Sequence, residues 1–200
     1  MRIHLANLLF SLFVCSISCG AEAPENGALI YTENGSCLVS TYTNSTYSHV
    51  AIVLYERGEP VVFEAKPGGV TKSTYQRYLK TAATAKLNDG NPVSLWLMNP
   101  RHAYTKQELS KMLDMANQAI GTPYSVIPTI TGRNQSTLQC AQYVSTILQT
   151  TPRFWFKSPK YQTPATLLKI AKPGYHPMSL LHKTSITNQS LVQKLGHFFK

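Results

Sequence analysis

The stretch Tyr47–Ala65, YSHVAIVLYERGEPVVFEA, constrains the fold more than any other part of the chain. Two runs rich in Val, Ile, Tyr and Phe flank Glu56-Arg57-Gly58-Glu59, and Gly58 accepts the positive φ that a tight hairpin turn demands. With Arg57-Gly58 as a two-residue turn, Glu56 pairs with Glu59 and position 51 faces position 64. Side chains alternate along a strand, so His49, Ala51, Val53 and Tyr55 share one face. Glu64 falls on that face one diagonal step from His49, roughly 7 Å between backbone positions, which a long side chain spans. A hairpin that only fills a core needs neither residue. A carboxylate there fixes one imidazole nitrogen and leaves the other aimed outward, the base-and-orienter half of a catalytic triad.

The rest of the chain reads as one α+β domain over residues 22–200. Residues 21–28 read as a linker and 28–32 as a short strand. Residues 34–48 read as a polar loop with a possible helical turn. Residues 71–79 are expected to be helical, 81–92 a loop, and Val93–Met98 a buried strand. Thr105 and Glu108 make a capping box for a helix with Leu109, Met112, Leu113, Ala116 and Ile120 on its apolar face, and Gly121 ends it. A loop to 134 precedes a second capping-box pattern, Ser136-Thr137-Leu138-Gln139, and a helix carrying Cys140, Val144, Ile147 and Leu148. Pro164 opens a short helix over ATLLKIA. The basic tail from Lys172 is expected to end in a loose helix. An antiparallel sheet containing the hairpin, packed against the Cys140 helix, is the expected architecture.

Cys140 is the third candidate. With Ser136 as cap it sits near a helix N-terminus, whose partial positive charge favours a thiolate. Thiol, imidazole and carboxylate together suit Cys–His–Glu nucleophilic catalysis. On an apolar helix face, a cysteine is otherwise an inert core residue. Only a fold can bring Cys140 to His49.

Residues 1–21 read as an export signal: Arg2, an apolar run over Leu5–Val14, then small residues to Ala23. The run is too short to span a membrane. Simple export, to a periplasmic or extracellular space, is the preferred reading. Ser16-Ile17-Ser18-Cys19 also resembles a lipobox, which would make Cys19 a lipidation site and the protein a membrane-anchored lipoprotein. Export leaves Cys37 and Cys140 in the mature chain, and an oxidising compartment would permit a disulfide between them that masks the thiol. Cys37 otherwise reads as structural or incidental.

The net charge of +10 is spread along the chain. It permits weak attraction to acidic polymers or anionic surfaces, but with no finger spacing or RNP-type aromatic motif it does not point to nucleic acid. No CxxC or HExxH occurs, so neither metal nor cofactor is expected. Tyr42, Tyr47, Tyr124 and Trp155 read as core or cleft-rim aromatics.

Six segments in order, GALIYT, YSHVAIV, VFEAKPGGV, GTPY, LQCAQYV and TPATLL, resemble the circularly permuted papain-like amidases of the YaeF/YiiX type, relatives of the NlpC-type cell-wall peptidases. The resemblance covers residues 27–168 and has the permuted order, histidine before cysteine. It implies a permuted papain-like fold with Cys140 as nucleophile, His49 as base and Glu64 as orienting acid. It implies hydrolysis of an amide or ester, with cell-wall peptides or lipid acyl groups as substrates. A non-enzymatic peptide- or lipid-binding module on the same fold is the alternative. Ala51 replaces a common glycine, and Cys140-Ala141-Gln142 replaces cysteine-serine-glutamate. A tyrosine frequent just before the nucleophile is absent, so the oxyanion donor must be sought elsewhere, with the Cys140 N–H, Tyr47 and Gln142 as candidates.

Overall fold

A computed structural model describes residues 23–83, 92–131 and 136–184 of the chain. The expected export signal with Cys19 and the expected C-terminal helix lie outside those residues.

The scaffold is a six-stranded antiparallel sheet in the order β4-β3-β2-β1-β5-β6. Its strands are β1 (Leu29–Glu33), β2 (Tyr47–Glu56), β3 (Glu59–Lys66), β4 (Gly69–Thr74), β5 (Ser94–Met98) and β6 (Ser179–Lys183). The helices are α1 (Cys37–Thr43), α2 (Tyr75–Ala83), α3 (Lys106–Gln118), α4 (Ile127–Thr131), α5 (Cys140–Leu148) and α6 (Pro164–Ala171). The hairpin turn forms as read, with Glu56 opposite Glu59 and positive φ at Arg57 (54°) and Gly58 (85°).

Each sheet face has its own core, as strand alternation requires. Tyr31, Val50, Ile52, Leu54, Phe63 and Ala65 pack under α3, α5 and α6 through Met112, Ala116, Val144, Ile147 and Leu167. Ile30, Ala51, Val53, Val62, Leu95 and Leu97 pack on the other face with Tyr78 of α2. The α3 capping box of Thr105 and Glu108 is present, as is Pro164 in the first turn of α6.

Several expectations are corrected. Residues 25–28 are no linker: the Gly27 N–H donates to Val53 O and the Asn26 side chain accepts from the Tyr55 N–H. The stretch read as a helix from 71 begins as β4, and the helix starts only at Tyr75, because residues 69–74 find a partner in β3. A short helix, α4, stands in the expected loop, and the tail adds β6 along β5. Both depend on distant neighbours that local pattern does not reveal.

Candidate active site

The hairpin ladder stops at Ile52–Phe63, one step short of the expected pairing of 51 with 64. Beyond it β2 pairs only with β1, down to Tyr47 opposite Glu33, while β3 pairs only with β4, Glu64 opposite Thr71 and Lys66 opposite Gly69. The two strands part like a fork. A bulge in β2 just beyond His49, between its pairings to Thr32 and Glu33, accompanies the parting.

The N-terminus of α5 is led to this fork by short backbone links. The Val70 N–H donates to Thr122 O and the Gly121 N–H to Val70 O, which docks the Gly121–Tyr124 turn on the start of β4. Gly69, at φ 114°, allows the approach: a Cβ there would lie 3.0 Å from Thr122 O. Tyr124 then bridges Leu138 in parallel, and two residues later the chain enters α5 at Cys140.

Gln139, not Ser136, caps that helix. Its backbone is extended, and its side-chain Oε1 accepts the Ala141 N–H at 2.8 Å. The same oxygen lies 3.6 Å from Cys140 Sγ in position to accept the thiol hydrogen, and Nε2 is anchored on Gln162 O. Cys140 is therefore the first residue of the helix, where the orphan N–H groups and the dipole act most strongly on an anion. It is a free thiol, 2% exposed, and not half of a disulfide.

His49 occupies the fork with its side chain 20% exposed. Its Nε2–H donates to Glu64 Oε2 at 2.9 Å, and Cys140 is near enough to act on the charge of the ring. With Nε2 on the carboxylate, Nδ1 is the nitrogen left for the sulfur. Lys66, on the same face two residues beyond Glu64, holds the second carboxylate oxygen at 2.5 Å. Burial opposes charge on His49, but the hydrogen bonds and charges of Cys140 and Glu64 outweigh it and push its pKa from 6.5 up to about 10. Burial likewise opposes the Glu64 charge, and the bonds from His49 and then Lys66 outweigh that, holding the carboxyl below its ordinary value.

A cavity of about 780 Å³ opens beside the fork on the α2 side of the sheet, with His49, Glu64, Lys66, Tyr78 and Tyr124 in its wall. Cys140, which is buried, is not among its lining residues. Burial, with the charge of Cys140 adding to it, pushes the Tyr124 hydroxyl up to about 12, so this phenol stays protonated and within electrostatic reach of the sulfur. No described hydrogen bond joins Tyr47 or Gln142 to Cys140. Tyr47 packs edge-on against Tyr31, with ring centroids 5.8 Å apart. Tyr124 joins the Cys140 N–H as a donor candidate, since it is within electrostatic reach of the sulfur. Lys66 was legible in the sequence, because alternation puts it on the Glu64 face. Gln139 was not, because serine is the stronger N-cap former.

A model of the permuted papain-like amidase enzymes, the YaeF/YiiX or C92 family, matches residues 23–193. The chain belongs to that family. It is therefore a cysteine hydrolase of the amidase or peptidase type. The crystal structure of the metalloprotein YiiX from Escherichia coli O157:H7 shares the fold, with a TM-score of 0.50, 18% identity, and coverage of 78% of this chain and 88% of that one. The comparison with curated protein sequences gives no match. Among the described residues, no three His, Cys, Asp or Glu side chains group to hold a metal ion, and no helix is long and apolar enough to cross a membrane.

Proposed function

We propose that this family member is an exported thiol hydrolase that cleaves an amide bond through Cys140, His49 and Glu64. The observation that carries the reading is the imidazole bonded through Nε2 to Glu64, with Cys140 near enough to raise its pKa. His49 takes the Cys140 proton and Glu64 stabilises the imidazolium. The thiolate adds to the carbonyl carbon, and the Cys140 N–H and Tyr124 hydroxyl face the developing oxyanion. On collapse the imidazolium proton goes to the leaving amine and a thioester remains. Water, losing a proton to His49, then adds to the thioester carbonyl. The acid departs and the thiol is regenerated.

Peptide amides of the cell wall are the favoured substrates, in keeping with export. Lipid acyl hydrolysis is a second reading, favoured by the exposed Tyr42 and Ile130 in the wall of a small apolar recess bounded by Gln139.

Acid-quenched intact mass spectrometry tests the mechanism on a short N-acyl p-nitroanilide at neutral pH. The expected result is an acyl adduct on Cys140 that hydroxylamine removes, with no adduct or turnover in Cys140→Ala. Undiminished turnover by that variant overturns the proposal. Ligand binding without turnover by the parent protein supports the binding-module alternative.

A further inference from the structure

The cavity beside His49 is electrically one-sided. Among the described residues its acidic side chain is Glu64, already shared between His49 and Lys66. The other charged groups that face it are cations: His49 itself, Lys66 and Arg77. Lys72 borders the cavity too, but its ammonium is spent on Glu56 and Asn117 beside Phe63, whose ring belongs to the opposite face of the sheet. Among the described residues three cations therefore oppose one carboxylate. Ionisation of Cys140 would cancel one more, and the balance stays positive.

The unspent charge is Arg77. It projects from the first turn of α2, exposed, and its guanidinium has no hydrogen bond or ion pair with any described residue. Two hydroxyls accompany it. Thr71 and Ser73 pair with Glu64 and Val62 across β3–β4, so alternation puts them on the cavity face. Neither hydroxyl is hydrogen-bonded among the described residues. A guanidinium with two free hydroxyls is a donor set for an acidic group, since the fork of N–H bonds matches a carboxylate or phosphate oxygen pair.

We propose that this cavity seats an acidic group of the substrate on Arg77, Thr71 and Ser73, so that the preferred substrate is an amide bearing a carboxylate or phosphate away from the scissile carbonyl. The placing of that carbonyl at Cys140 rests on the hydrolase reading. The charge preference of the cavity does not.

Calorimetric binding to the Cys140→Ala protein separates the two. Three anilides are compared: glutaryl anilide, its phosphonate counterpart and the uncharged glutaramide. The acids are expected to bind about 10-fold more tightly than the amide, as one unpaired surface-facing charge allows. Arg77→Gln should bring the affinities to within about 2-fold, and 0.5 M salt should weaken the preference in the parent. The double variant Thr71→Val, Ser73→Ala should lose part of it. The tighter of the two acids identifies the group seated. Equal affinities in the parent, or an undiminished preference in Arg77→Gln, overturn the proposal. If the chain with Cys140 intact hydrolyses charged and uncharged anilides alike, with equal affinities, the cavity assignment fails and the hydrolase stands. If Arg77-dependent binding is found and nothing is hydrolysed, the reverse holds.

Discussion

The two ends of the hairpin were built from the same kind of sequence and do different work. At the turn end, Ile52–Glu56 and Glu59–Phe63 form a closed ladder, with Leu54 and Phe63 buried under the helices and Val53 and Val62 buried on the other face. At the other end, residues 47–51 and 64–66 part company, and the gap holds an imidazole, a carboxylate and an ammonium. The closed end satisfies its backbone groups by pairing and its side chains by packing. The open end gives up ladder bonds between β2 and β3, and buried polar groups satisfy one another instead. On the proposed function, stability and chemistry are separated along one pair of strands, and substitutions at the two ends should separate them experimentally.

The largest expected effect lies at the closed end. Leu54 is 1% exposed in the core beneath the helices. Leu54→Ala should lower unfolding free energy by about 3 kcal/mol, the usual cost of a buried leucine truncation. Hydrolysis by the folded protein should stay within about 2-fold of the parent. Urea unfolding and initial rates on the same samples check this. A large fall in rate without unfolding would mean that the two ends are mechanically coupled.

Glu64→Gln makes the opposite change. The amide keeps a hydrogen-bond acceptor but loses the charge that supports imidazolium, so activity should fall on the order of 10²-fold. Stability should change by less than about 2 kcal/mol. Breaking a buried pair costs more where a charge is stranded, but Lys66 is nearly half exposed and can turn to water, and His49 can release its proton. The pH dependence follows with a definite sign. The folded pKa of His49 is raised to about 10, above its unfolded value near 6.5. Its contribution to stability is complete below about 6.5 and is lost as pH rises towards about 10. Glu64 is depressed below 4.5, so its contribution is complete above that value and is lost as pH falls through the folded pKa. The alkaline limb of kcat/KM should lie near 10 in the parent and move to lower pH in Glu64→Gln. A limb that stays in place would show that the carboxylate does not set the imidazole's charge.

The closed end was almost fully legible in the sequence. Turn chemistry gave its register of 56 with 59, and alternation gave the shared face of His49 and Glu64 at the open end, because both are local rules. The helix starting with Cys140 was legible as a helix, but its cap was not. Gln139 acts as one only because Gln162, 23 residues away, holds its amide nitrogen. The end of the ladder after Ile52 left no local mark. It reflects competition: β4 and β1 claim the outer edges of β3 and β2, while α5 packs against both strands from one side. The meeting of Cys140 with His49 was open for the same reason. It depends on the docking of Gly121-Thr122 on Val70, a contact between segments that carry no complementary pattern. Family resemblance supplied that step where periodicity could not.

Lys66 offers the finest probe of the open end. It shares the Glu64 carboxylate with His49, so each cation limits how much of that negative charge the other receives. Without Lys66, the whole carboxylate charge falls to His49, and the imidazolium becomes harder to deprotonate. Lys66→Met should therefore move the alkaline limb of kcat/KM to higher pH, opposite to the shift in Glu64→Gln. It should lower kcat by a few-fold at most, roughly 3-fold, since the ammonium is partly in water and its field is screened. Lys66→Arg should restore the limb, because a guanidinium supplies the same charge to the same oxygen. A merely structural lysine would lower activity without moving the limb, and then the carboxylate would belong to His49 alone.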